Sequence, residues 1–261
     1  MANLLLAAAI AVAAPPPPPV VAPPPILVPG PVQTPDSRPA SPAALRLAHR
    51  LEELTEPRAL MVAGNYAAWE ATVRKTMSLN ADVARVEQTY PGIIDAGIDA
   101  ARPLAKAFCE DFVGRVQEYR ANAYATSLSE RELAQAIAYF ETPGAQRIIK
   151  RMIANLNPQQ LIDQVAHQAK SEGRITITKE QAGQMDIAAA ARTSLEVSDA
   201  DKTALMRFAQ TEAGRKYTAA RAASETHLLA LVNTSNPEHI RRQNEAVQSG
   251  MMAFISRKKS P

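Results

Sequence analysis

From Ala43 onward apolar residues recur every three or four positions and long β-branched runs are absent, a pattern that predicts helices rather than a sheet. Segments 44–55 and 58–78 read as the first two, with Pro57 near a helix start, where the missing donor of proline costs little. In the second, Trp69, Val73 and Met77 form a ladder four residues apart that predicts one buried face. A third helix is expected from about Asp82 to Tyr90, stopped by Pro91-Gly92. The long pattern from Ile93 to Ser127 predicts a helix bent or divided around Pro103. Leu104, Phe108, Phe112, Val116 and Tyr119 share its packing face, leaving Glu110, Arg115 and Glu118 to solvent.

The sharpest local signals begin at Ser129. Its hydroxyl and the Glu132 carboxylate have capping-box spacing, and Leu133, Ile137 and Phe140 give the helix behind them an apolar face. Thr142-Pro143 then supplies a second cap and a first-turn proline, opening a helix whose Ile148, Ile149, Met152 and Ile153 seek partners. The two helices should meet at a sharp corner. An echo follows 69 residues later. Leu128-Ser129-Glu130-Arg131-Glu132 aligns with Val197-Ser198-Asp199-Ala200-Asp201, and Tyr139 to Arg147 aligns with Phe208 to Lys216. Internal duplication explains the echo; independent use of common helix caps is the competing account. Each corner has a preceding helix, 103–126 and 179–195, the latter with its own Thr178/Gln181 capping box, and a following one, 158–171 and 237–256. Arg174 to Thr178 alternates with period two but lacks companions for a sheet, so an extended connector at a lobe boundary is expected.

The N-terminal region obeys different rules. Asn3 to Ala14 is uncharged and apolar, and Ala11-Val12-Ala13 fits the small-residue pattern before an export cleavage site, although no Lys or Arg precedes the run. The run ends at Pro15, well short of the roughly 20 residues a membrane span needs. Cleaved export, an uncleaved tether and a cytosolic chain are the readings in play, the first preferred. Of the 20 prolines, 13 fall between Pro15 and Pro42. That segment cannot join helices or central strands and reads as a disordered, semi-stiff spacer, reaching roughly 85 Å if fully extended.

The expected architecture is therefore all-α: an irregular multi-helix bundle, with two duplicated helical units suggested by the echo, behind the proline-rich arm. Residues 1–13 are assigned to a secretion signal and 14–42 to the spacer. The first helical lobe then covers 43–172, the second 173–256, and a basic tail 257–261.

Composition narrows the chemistry. The chain carries 29 basic and 26 acidic residues, and the whole excess of +3 lies in the last third. Such a mild surplus gives no reason to expect nucleic acid as a partner. Cys109 is the single cysteine, so neither an intramolecular disulfide nor a thiolate-rich metal site can form, and its apolar surroundings predict a buried thiol. His49, His167, His227 and His239 are dispersed without metal-ligand spacing, and no phosphate loop, dinucleotide fingerprint or nucleophile elbow occurs. No cofactor or metal is implied.

At Leu128 to Arg147 the chain resembles the DUF2059 family of exported, mostly helical bacterial proteins without an assigned activity. Leu128, Glu132, Leu133, Tyr139, Phe140, Thr142, Pro143, Gln146 and Arg147 carry the likeness. Three departures stand beside it. The aromatic order is Tyr-Phe rather than Phe-Tyr, Ala145 occupies the expected glycine position, and the second echo has Glu212 in place of proline. The resemblance implies a helical envelope protein and supplies no catalytic residues. If a binding surface exists, the corner formed by Tyr139, Phe140, Thr142, Pro143, Gln146 and Arg147 is the first candidate, for an envelope protein or a small apolar ligand. The functional expectation is a structural or binding role in the envelope, periplasmic or secreted. A hydrolase whose site assembles from sequence-distant polar residues, or a partner-recognition module using a helical groove, are the alternatives.

Overall fold

The computed structural model describes residues 40–172, 177–234 and 236–259. The leader, nearly all of the proline-rich arm and residues 174–176 of the expected connector lie outside the described residues. Eleven helices make up the described chain: α1 Pro42–Thr55, α2 Arg58–Leu79, α3 Ala81–Thr89, α4 Ile93–Ser127, α5 Glu130–Phe140, α6 Pro143–Asn155, α7 Gln159–Glu172, α8 Lys179–Glu196, α9 Asp199–Gln210, α10 Glu212–Asn233 and α11 Pro237–Lys259. The all-α expectation holds. Pro42, assigned to the spacer, instead opens α1 behind the Ser41 cap, where its fixed φ suits a first turn. Arg257, Lys258 and Lys259, expected in a tail, form the last turn of α11, where cations face the negative end of the helix dipole.

The central element is α4. At 35 residues it is about 52 Å long and passes through three apolar clusters. Its first half packs Ile94, Ile98, Ala101, Ala105 and Cys109 against the Trp69–Val73–Met77 ladder of α2 and against Val247, Met251 and Phe254 of α11. Midway, Phe112, Val113 and Val116 meet Met61 of α2, Leu161 and Val165 of α7, Met185 of α8 and Leu228 of α10. Its last turns join Ala44, Ala48 and Leu51 of α1 to the α5–α6 and α9–α10 corners. The helix is continuous through Pro103, an exposed position whose buried neighbours Ala101 and Ala105 are held from both sides. Its buried stripe is also turned slightly from the expected one: Ala101, Ala105 and Cys109 are fully buried, while Leu104 and Phe108 are half-buried.

On its flank toward α11, α4 makes a close helix contact. At Gly250 of α11 an added Cβ would lie 2.5 Å from the Ala100 Cβ and 2.6 Å from the Ala96 carbonyl oxygen of α4. Small residues on both helices let the backbones approach. No helix among the described residues is long and apolar enough to cross a membrane.

Two glycine replacements should consequently have opposite signs. Gly250→Ala is expected to lose about 1–2 kcal/mol net, overpacking outweighing the gain in helix propensity. Gly183→Ala in α8, where an added Cβ meets nothing within 4 Å, should gain up to about 1 kcal/mol. Denaturant unfolding of the two variants checks both signs.

Candidate functional site

The corner at α5–α6 forms as its residue types require. The Ser129 hydroxyl accepts from the Glu132 amide at 3.3 Å, and the Glu132 carboxylate accepts from the Ser129 amide at 2.8 Å, closing the capping box. The Thr142 hydroxyl accepts from the Ala145 amide at 3.2 Å and donates to the Tyr139 carbonyl at 2.7 Å. Phe140 is buried and Tyr139 half-buried. The Gln146 amide donates to the carbonyls of Phe140, at 2.7 Å, and of Leu54 in α1, at 3.3 Å. The structure thus brings all six predicted corner residues together, and Tyr139, Phe140, Gln146 and Arg147 are engaged in contacts within the chain. Thr142 and Pro143 are exposed.

The α9–α10 corner repeats the cap hydrogen bonds of this pattern, without the carboxylate's return bond to the cap amide. Ser198 caps Asp201 at 3.2 Å, Thr211 accepts from the Gly214 amide at 3.0 Å, and the Thr211 hydroxyl donates to the Phe208 carbonyl at 2.7 Å. One local difference explains the glycine. Thr211 ends α9 and begins α10 with no intervening residue, whereas Glu141 separates α5 from its Thr142 cap. In the tighter corner a Cβ on Gly214 would lie 2.0 Å from the Phe208 carbonyl oxygen, while Ala145 fits in the wider one.

The two corners face each other. Tyr139 and Phe208 stack with centroids 4.2 Å apart and planes 5° from parallel. Arg147 donates twice to Asp201, at 3.1 and 2.8 Å, and Lys216 donates to Glu132 at 2.7 Å. Arg147 and Lys216 differ by 69, as do Glu132 and Asp201, and Tyr139 and Phe208. The contact is therefore reciprocal, as in an isologous interface between two identical subunits. Packing of α10 on α4 and of α6 on α8 follows the same offset. Burial opposes ionisation of Glu132, but the hydrogen bonds from Lys216 and Ser129 outweigh it and bring the carboxyl down to about 2. Burial and the Asp201 charge push the Tyr139 hydroxyl up to about 12, so it stays protonated.

The two units are covered unequally. In the first, α1 lies on α4 and α5, within a cluster that buries Ala121, Ala125, Leu128, Leu133, Ala136 and Ile137. Their counterparts 69 residues on are Ala190, Ser194, Val197, Lys202, Leu205 and Met206. Leu205 is 39% and Met206 57% exposed, and on α8 Ile187 is 72% and Leu195 88% exposed. Helix α8 packs mainly on α6, and α9 on α6 and α10, so among the described residues nothing plays the part of α1 there.

Beneath α1 lies a knot of buried charge that the sequence reading did not anticipate. The Arg120 side chain of α4 has no solvent exposure and contacts Glu56 of α1, Glu225 of α10 at 2.9 Å and Glu52 of α1 at 3.6 Å. Arg221 of α10 reaches the second Glu56 oxygen and donates to the Tyr217 hydroxyl at 3.2 Å. Burial would raise the Glu56 carboxyl, yet the guanidinium groups of Arg120 and Arg221 prevail and hold it at about 2. Burial and the Glu56 charge push Glu52 the other way, up to about 8. The available signals were like-charged Glu52 and Glu56 one turn apart, unfavourable on a solvated face, and Arg120 in line with Val116 and Tyr124.

Other reactive groups are quiet. Burial pushes the Cys109 thiol up to about 12, assisted by Glu110. His227 stacks on Tyr119 at 3.9 Å, His239 on Phe108 at 4.2 Å, and His49 lies 3.4 Å from Glu118. Among the described residues no three His, Cys, Asp or Glu side chains converge as a metal site. A cleft of about 90 Å³ between α6–α7 and α8 is lined by Asn155, Gln164, Gln181, Met185 and Arg192. No protein-family model, curated protein or solved structure matches this chain. The likeness to DUF2059 accordingly rests on residues 128–147 alone.

Removing Arg120 strands carboxylates in the interior. Arg120→Met is expected to cost about 3–5 kcal/mol. Adding Glu56→Gln should recover part of that loss, so the double variant unfolds at higher denaturant concentration than the single one.

Proposed function

We propose that the protein is exported and acts in the bacterial envelope by binding a partner, with the α8–α9 face as the contact surface. The observation that carries this reading is the exposure of Leu205 and Met206, whose counterparts Ala136 and Ile137 in the first unit are covered by α1, with Ile187 and Leu195 as further exposed apolar side chains on α8. Exposed large apolar side chains at positions that are covered in a matching unit mark interaction surfaces more often than singly scattered ones do. Helix α1 suggests the form of occupant: an amphipathic helix presenting small and apolar residues at Ala44, Ala48, Leu51 and Thr55 spacing. The apolar leader and the proline-rich arm support the export half of the proposal. Membership of DUF2059 belongs to the same proposal. In this scheme Tyr139, Phe140, Thr142, Gln146 and Arg147 keep the two duplicated units in register, and the partner is met elsewhere.

Two measurements test it. Mass spectrometry of the native protein should find a mature N-terminus near Ala14 in the envelope fraction; intact Met1 in the cytosol would sink the export half. Leu205→Asp with Met206→Asp should abolish crosslinking to envelope partners while shifting unfolding by no more than about 1 kcal/mol, since both positions are exposed. Unchanged crosslinking in that variant would remove α8–α9 as the contact surface.

A further inference from the structure

The cleft between α6–α7 and α8 lies where the two units differ in side-chain bulk. Helix α8 lays Gln181, Met185, Ala188 and Arg192 along it at spacings of three and four, one stripe of the helix. At the 69-residue offset the matching stripe of α4 carries Phe112, Val116, Tyr119 and Ala123. There α4 meets α10: Phe112 is buried, and Tyr119 stacks on His227 with centroids 3.9 Å apart, so two aromatic side chains of α4 occupy the contact. Gln181 and Ala188 stand in place of those rings at the α6–α8 contact, and Pro158 in place of His227. The space left is about 90 Å³, room for about six water-sized groups.

Open hydrogen-bond donors outnumber open acceptors among the lining side chains. The floor is apolar, from buried Leu161 and Met185. Above it three amide oxygens are engaged within the chain: Gln164 accepts from the Gln181 side chain at 3.0 Å, Gln181 from the Thr178 amide at 2.8 Å, and Asn157 from the Gln159 amide at 3.0 Å. What these three side chains still offer is N–H. Asn155 donates to Thr193 at 3.1 Å, which leaves its oxygen and that of Gln184 as the open acceptors. Arg192 is the one charged residue in the lining, and a guanidinium brings five donors and no acceptor. Among the described residues no carboxylate pairs with Arg192, and Glu196, one turn on, is engaged by Arg151 at 3.3 Å. A donor-rich rim with a single cation above an apolar floor suits a carboxylate on a short alkyl stem.

We infer that this cleft binds a small monocarboxylate of about six non-hydrogen atoms, its oxygens on Arg192 and the amides of Gln164 and Gln184, its stem on Leu161 and Met185. Neither the α8–α9 surface nor export enters this assignment. Butyrate titrated into the full chain at neutral pH, followed by NMR of the side-chain amides, should move the Gln164 and Gln184 signals along saturable curves. The dissociation constant should be about 1 mM, the scale for so small a ligand. Arg192→Ala should weaken binding by about tenfold, with Arg192→Lys in between because the charge remains and the fork does not. Ala188→Tyr, which gives the position the side chain its counterpart Tyr119 has, should fill the cleft and abolish saturation. Both positions are exposed, so these variants keep the fold. Amide signals that stay flat up to about 50 mM butyrate overturn the site, as does unchanged affinity in Arg192→Ala or Ala188→Tyr. Butanol, the same stem without the charge, should give no saturable shift, and butanol binding as tightly as butyrate overturns the carboxylate assignment. A peptide with a free C-terminus offers the same chemistry. Acetyl-alanyl-alanine binding about tenfold more tightly than butyrate assigns the carboxylate to a peptide end, and equal or weaker binding assigns it to a free acid; both results uphold the site.

Discussion

A guanidinium that cannot shed its proton stands fully buried in the last third of α4, the longest helix among the described residues, and the arrangement of α1, α4 and α10 answers to it. Arg120 must be met by carboxylates, and these come from Glu56 and Glu225, far apart in the chain. Only one rotation and one height of α1 and α10 along α4 bring both to it. Against well-packed apolar residues such a cluster adds little net stability, because desolvation consumes most of the attraction. Its larger effect is on misplacement. An α1 shifted by one turn would leave Arg120 or Glu56 buried and unpaired, at a cost of several kcal/mol. Apolar packing through Ala44, Ala48 and Leu51 draws α1 onto α4 and α5; the charges fix where it stops.

That constraint acts on one unit only. Offset by 69 residues, Arg120 corresponds to Ala189 and Arg221 to Met152. The second unit shares the corner and the reciprocal contacts but lacks the charged anchor, and its open face is apolar instead. A helix bound there would lack the charged register that fixes α1. Packing alone would position it, so binding could tolerate some variation in the partner. The two units thus differ in the covering helix and in the charges that fix it.

Much of this was legible in the sequence because helix ends are written locally. Ser129 with Glu132, Thr178 with Gln181, and Thr142 with Pro143 each specify a cap within four residues, and each cap forms. The Trp69, Val73 and Met77 ladder is buried as its spacing predicted. Residues 128–147 also located the corner and its echo. The charge knot was hidden for the opposite reason. Its members lie on three helices, and each alone looks like an ordinary charge on an amphipathic surface. The buried stripe of α4 differs from the expected one because periodicity weighs Leu104 and Phe108 above Ala101 and Ala105, although the small residues share the cluster of the Trp69, Val73 and Met77 ladder. Whether the corner binds anything was not written locally either, because its polar atoms meet partners from α1 and α9 that no short window contains.

The reciprocal contacts show how two similar corners meet through different residues. One bridge pairs the shorter acid, Asp201, with the longer base, Arg147; the other pairs the longer acid, Glu132, with Lys216. Both pairs close to hydrogen-bond distance, the shorter acid meeting the longer, forked base. At the centre Tyr139 faces Phe208, and stacking needs only two flat rings at one spacing. Exchanging the acids alone would overcrowd one bridge and stretch the other. The sequence echo is therefore imperfect at single positions yet keeps one acid–base pair on each side of one aromatic stack across the contact.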